Sequence, residues 1–197
     1  MARIPLPSRA EMTPAQQQVY DEVVSGPRGA VVGPLRAAIH NPELAQRWSA
    51  LGEVLRFETT LPKRLNELAI LVTGRRWTSQ LEFLVHARAA LAAGMSPEAI
   101  EAIRLGRPPI LNVEEAEVYE FARQLQQTGR IPLPAYRSVE ARWGVQGVVE
   151  LTAVIGYYTM VSMTLNAHEI PLPAGEEEPL RHLPSEDLTP LPRAQAL

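Results

Sequence analysis

Proline is the feature that most constrains this fold, because it breaks helices and sheet ladders wherever it falls inside them. The 18 prolines crowd residues 1–14, 27–42, 108–109, 132–134 and 171–192, and only Pro62 and Pro97 lie between Glu43 and Arg107. Each of these two stands where a helix can begin, at a position where the missing N–H costs nothing. The spacing predicts a succession of helices with proline near their starts. Thr13-Pro14 opens one that runs to about Val24, before Ser25-Gly26-Pro27, and Asn41-Pro42 opens another through Phe57. Pro62 opens a third, to about Arg76. Thr78 or Ser79 caps a fourth, ending at Ala93 with Gly94 as its stop. Ser96-Pro97 starts a short helix closed by Gly106. Asn112 with Glu115 forms a capping box for a helix to about Gln127, with Gly129 after it. Pro134 starts a short helix over about 135–142.

Residues 145–165, VQGVVELTAVIGYYTMVSMTL, are rich in β-branched side chains and can be read as two strands broken at Gly156. Their length favours one buried helix. A membrane span needs about 20 predominantly apolar residues. Gln146, Glu150 and several hydroxyls interrupt this run, so a core or oligomer-interface helix is expected. From Ile170 to Leu197 the chain carries six prolines and a Glu-Glu-Glu run. Such a tail builds no core alone and reads as an extended or disordered arm. The expected organisation is one helical domain over 1–172 and a tail over 173–197.

Composition narrows the chemistry. The chain has no cysteine, which excludes disulfides, thiol catalysis, iron–sulfur clusters and thiolate zinc sites. A net charge of −3, with no basic cluster beyond Arg75-Arg76, argues against a nucleic-acid partner. The first twelve residues hold no apolar signal-peptide core, so the expected location is cytoplasmic.

Residues 64–94 carry the chemistry. Glu82 and His86 are four apart on a predicted helix, which puts them on one face about 6 Å apart along the axis. Ser79 lies on the same stripe. Leu81, Leu84, Val85 and Ala92 read as the core stripe, with Glu82 and His86 at its edge. A carboxylate and an imidazole at such a boundary suit proton transfer. The same spacing also describes an ordinary surface pair, and two such ligands are too few for a metal site. Glu67 is a lone acid in an otherwise apolar helix, where burial without a partner is costly. It pairs with Arg64 or Arg75, or it faces His86 across the turn at 73–78.

The runs Glu67-Leu68-Ala69, Arg76-Trp77, Gln80-Leu81-Glu82-Phe83, His86-Ala87 and Ala93-Gly94-Met95-Ser96 resemble the carboxymuconolactone decarboxylase family, which includes the alkylhydroperoxidase D-like proteins. The flanks Leu51-Gly52-Glu53-Val54-Leu55 and Gly156-Tyr157-Tyr158 are similar too, and the resemblance covers roughly residues 10–172. It implies an all-α, alkylhydroperoxidase D-like fold and a homo-oligomer, a trimer or hexamer. The redox branch of that family uses a CxxCxxxH motif. Counting back from His86 places its two cysteine positions at Ser79 and Glu82, with the upstream glutamate at Glu67. Thiol–disulfide exchange needs a thiolate, so peroxidase chemistry is not expected here.

The lactone-decarboxylase branch needs no thiol and no organic cofactor. The resemblance implies loss of CO2 from a small carboxylated lactone or related acid, with His86 donating to the developing oxyanion. Glu82 or Glu67 would carry the proton, Arg56 would anchor a carboxylate, and Trp77 and Ser79 would line the substrate. A non-catalytic member that binds a small acid or serves in an assembly is the alternative. Finally, segments 67–86 and 150–168 both begin Glu-Leu, carry a glycine and end at histidine. Read as a repeat, they make two helical units, with His168 at a degenerate site and Tyr157 and Tyr158 as walls.

Overall fold

The computed structural model describes residues 2–181 and 188–196, and the sequence expectations for 182–187 and 197 lie outside the described residues. Among the described residues there are eight α-helices: α1 (Pro14–Ser25), α2 (Leu35–Ala38), α3 (Pro42–Phe57), α4 (Lys63–Arg76), α5 (Gln80–Ala92), α6 (Pro97–Arg104), α7 (Val113–Thr128) and α8 (Leu133–His168). The fold is all-α. Its only strands among the described residues are β1 (Ile110–Leu111) and β2 (Gln195–Ala196), a two-residue parallel pair.

The helix starts follow the proline and capping grammar. Thr13 accepts from Gln16 N, Asn41 from Leu44 N, Ser96 from Ala99 N and Asn112 from Glu115 N, and each satisfies an otherwise orphaned donor. Gly144 breaks the regular backbone of α8 at φ 67°, a left-handed conformation that glycine adopts without penalty. The short helix and the apolar helix expected from sequence are thus two arms of one element. The apolar arm is helical throughout, not a strand pair. By length and composition alone α8 could cross a membrane, but half of its most apolar window is buried inside the protein.

α4 is the central element. From Leu65 to Arg75 every residue is buried, and the helix packs against α5, α7 and α8. A helix apolar on nearly all sides belongs in such a place. The described parts of the tail are extended and packed. Leu180 and Leu191 are buried, Thr189 N donates to Arg76 O, and Tyr119 Oη donates to Pro192 O. The tail therefore runs over the α4–α5 corner and along α7 to pair with β1.

Candidate active site

The α4–α5 turn places the site. Thr78 holds φ 48°, unusual for a β-branched residue, and its hydroxyl contacts the Thr189 hydroxyl of the tail at 2.9 Å. The turn reverses the chain so that Glu67 on α4 meets His86 on α5. In the run Ser79-Gln80-Leu81-Glu82, Ser79 and Glu82 stand in the positions of a capping box. At Ser8, Thr13 and Asn112 that grammar produces reciprocal caps. At α5 it does not. Ser79 N–H turns back to Gly74 O at 2.8 Å, Ser79 Oγ has no partner, and Glu82 turns to His86.

The result is a buried row of three titratable side chains. His86 Nδ1 lies 2.6 Å from Glu67 Oε2 and Nε2 lies 3.0 Å from Glu82 Oε2. Fractional exposures are 1% for Glu67, 3% for His86, 7% for Glu82 and 0% for Ser79. The Glu67 contact is an aligned hydrogen bond. The Glu82 contact has the distance of an ion pair without that alignment, which leaves Glu82 Oε2 without an aligned donor. Burial pushes the imidazole pKa down, but the Glu67 hydrogen bond and the contact and charge of Glu82 outweigh it and raise it to about 9. His86 is therefore an imidazolium at neutral pH, donating from Nδ1 to Glu67.

Aromatic rings close one side. Tyr158 packs edge-on against His86, with ring centroids 4.9 Å apart, and Tyr157 packs against Tyr158 at 5.2 Å. Burial, reinforced by the charge of Glu82, pushes the Tyr158 phenol well above its ordinary value, so it stays neutral. Tyr157 Oη accepts from Arg28 Nη2 at 3.1 Å. Gly52 permits this approach, since a methyl group there would collide with both Arg28 Nη2 and Tyr157 Oη.

Several expectations change. Of the α5 stripe read as core, Val85 and Ala92 are exposed and Leu81 and Leu84 only half-buried. The buried face is Glu82, Phe83, His86 and Ala90. Glu82 and His86 thus sit in the interior, not at its edge. Glu67 takes neither arginine. Arg64 pairs with Glu114 and Glu115 on α7, and Arg75 has Nε and Nη1 unpartnered. Arg56 is half-buried with its guanidinium 5.3 Å from the Phe57 ring centroid, and its charge reaches the Tyr158 hydroxyl. Trp77 braces helices: its indole donates to Gln126 on α7 and its carbonyl accepts from Asn166 on α8. Glu150 and His168 lie on one continuous helix, 18 residues and about 27 Å apart, so they form no second pair.

Sequence reading passed over Arg28, a single cation in a Gly- and Pro-rich loop whose neighbours gave no motif. It also tied the tyrosines to a repeat rather than to His86. Two surface depressions, of about 480 Å³ beside α7 and about 430 Å³ along the end of α8, are lined by none of the Glu67, Glu82 or His86 side chains. Among the described residues no group of three His, Cys, Asp or Glu side chains is arranged to hold a metal ion.

Residues 42–124 match the model of the carboxymuconolactone decarboxylase family, a span that contains Glu67, Glu82 and His86. No curated protein matches the chain. Among solved structures, an uncharacterized peroxidase-related protein from Silicibacter sp. TM1040 superposes with a TM-score of 0.70 at 18% identity, over 88% of this chain and 92% of that one. The alkylhydroperoxidase AhpD core of an uncharacterized peroxidase-related protein from Ralstonia eutropha JMP134 gives 0.71 at 14%, over 88% and 93%. The debrominase Bmp8, solved in complex with 2,3,4-tribromopyrrole, gives 0.67 at 13%, over 88% and 95%. At these identities the likeness shows the fold. The chain thus has the alkylhydroperoxidase D-like fold, and its segment 42–124, which carries the buried Glu–His–Glu row and no cysteine, is similar to the carboxymuconolactone decarboxylase family.

Proposed function

We propose that the protein is a cofactor-independent carboxy-lyase that removes CO2 from a small carboxylated lactone or related acid by acid–base chemistry. One observation carries this reading: a buried imidazolium held firmly by Glu67 on one nitrogen and loosely by Glu82 on the other. The loose end is the reactive one. Glu67 fixes the ring and its charge, a positioning role.

In the proposed step the bond from the ring carbon to the carboxylate breaks, and its electron pair moves into the conjugated lactone carbonyl. CO2 leaves and a dienolate forms. His86 Nε2–H, which Glu82 holds only loosely, donates to the enolate oxygen from a ring that Glu67 fixes before charge develops. Glu82 takes the Nε2 proton and passes it to carbon, and solvent restores it. Tyr158 keeps the imidazolium shielded from water. Half-buried Arg56 contributes to substrate binding from the rim, and the buried Ser79 hydroxyl from within.

The peroxidase-related and debrominase neighbours suggest other chemistries, but a thiol route does not transfer to a chain with no cysteine. One observation favours a non-catalytic alternative: both His86 nitrogens are already closed by carboxylates, as in a purely structural ion-pair row. The test is CO2 release from carboxylated butenolides by the wild type and by His86→Ala. A loss of about 10²-fold or more is expected. Equal rates overturn the lyase reading. We also propose a homo-oligomer that buries the exposed Val145, Val149 and Met163 of α8, checked by light scattering in solution.

A further inference from the structure

Several arginines near the surface are neutralised. Arg3, Arg9, Arg47, Arg64 and Arg88 each meet a glutamate or aspartate within ion-pair distance. Arg28 is different. It comes from the loop Gly26 to Pro34, which lies over the start of α5: a Cβ on Gly33 would touch Leu81. Arg28 Nη2 reaches Tyr157 Oη at 3.1 Å and Ser49 O at 3.4 Å, both neutral acceptors. Its Nε is buried with no partner. Among the described residues no carboxylate lies within ion-pair distance of it. A half-buried guanidinium without a counter-charge, and with part of its fork unused, matches a carboxylate that arrives with a ligand.

Its place gives that ligand an orientation. His86, Tyr158, Tyr157 and Arg28 form a continuous row of contacts. Arg28 is at one end, and the Glu82–His86 pair is at the other. Arg56, by contrast, lies over the exposed Phe57 ring. A cation pressed against a departing carboxylate would stabilise the ground state and oppose loss of CO2. A group held at the far end of the row escapes that penalty and contributes equally to ground and transition states.

We propose that Arg28 is the specificity-determining anchor of the site, holding an acidic group of the substrate that stays on the product. This rests on the acid–base reading of the Glu67–His86–Glu82 row for what happens at the other end. The Arg28 loop then selects anionic over neutral ring compounds, and α5 acts on what the loop has oriented.

The test uses 2-furoate, a planar five-membered-ring acid, and its neutral counterpart 2-furamide, with binding measured by calorimetry on the full chain. The wild type should bind 2-furoate at least about tenfold more tightly than 2-furamide. Arg28→Gln should abolish that preference, and Arg28→Lys, which keeps the charge without the fork, should retain part of it. If Arg28→Gln does not fold, Gly52→Ala, which displaces the Arg28 tip, should lower the same ratio. On a turned-over lactone acid, Arg28→Gln should raise KM at least tenfold and leave kcat within about twofold. No preference for 2-furoate in the wild type, or an equal preference in the variants, overturns the proposal. Turnover with an unchanged KM in Arg28→Gln overturns the anchor and leaves the lyase reading intact. Arg28-dependent furoate binding without any turnover does the reverse.

Discussion

Two stretches of this chain look alike in sequence and behave oppositely in space. Glu67 and His86 are 19 residues apart, Glu150 and His168 18 apart, and each stretch begins Glu-Leu and holds a glycine. In the first, a turn at Thr78 folds α5 back on α4, and the acid and imidazole meet at 2.6 Å. In the second, α8 runs through Gly156 without interruption and keeps the pair about 27 Å apart. Glu150 instead accepts from Thr60 N and Thr60 Oγ1. Spacing and residue type do not make a site. The chain reversal between them does, together with the burial that raises the strength of each contact.

The contrast is easiest to break with alanine. His86→Ala leaves Glu67 and Glu82 buried without their cation, and should destabilise the fold by about 3–5 kcal/mol in urea unfolding. His168→Ala, at the end of α8, should stay within about 0.5 kcal/mol. Comparable losses would erase the distinction.

Glutamine substitution sharpens it. Glu67→Gln keeps an acceptor for Nδ1–H but removes the buried counter-charge of the imidazolium, and should lower stability by about 2–3 kcal/mol at neutral pH. Glu150→Gln keeps a carbonyl acceptor for Thr60 and should cost about 1 kcal/mol or less. Thermal melts of both variants check this.

pH separates the two histidines next. The charged and polar groups facing His86 are Glu67 from α4, Glu82 from α5 and Tyr158 from α8. Its pKa is about 9 in the folded protein against an ordinary 6.5, so the folded state binds the proton more tightly than the unfolded chain. The associated stability is complete below about 6.5 and is lost as pH rises through about 9. Melting temperature should therefore fall over that window, and Glu67→Gln should shrink the fall. A flat profile in the wild type would contradict the assignment.

The smallest effect concerns the cap that α5 does not have. Ser79→Ala removes a buried hydroxyl without a partner and should change stability by no more than about 0.5 kcal/mol. Asn112→Ala removes a working cap and should cost about 1 kcal/mol in denaturant titration. A cost at Ser79 equal to that at Asn112 would mean that its hydroxyl caps after all.

These same residues show what the sequence carries. Pro14, Pro42, Pro62 and Pro97, with the caps at Thr13, Asn41, Ser96 and Asn112, mark helix starts by local rules, and the structure follows them within a residue or two. The orientation of α5 was not legible, because apolar residues lie on both of its faces. Leu84 and Val85 read as well for a core stripe as Phe83 and Ala90, and only packing against α4 decides for the latter. Burying Glu82 and His86 breaks the usual patterning, as happens where function outweighs local preference. Glu67, Glu82 and His86 were readable as candidates, but not their order around the ring. Arg28 was unreadable because its partners, Ser49 and Tyr157, lie 21 and 129 residues away. Docking of the tail depends likewise on contacts with Arg76 and Tyr119 that no periodicity announces.

The most direct test of the Glu67–His86–Glu82 row is an NMR titration of the His86 imidazole in the intact protein. The account predicts both ring nitrogens protonated at neutral pH, a pKa near 9 and a clear downward move in Glu67→Gln. A His86 that titrates at or below 6.5, or that ignores the loss of Glu67, would contradict it.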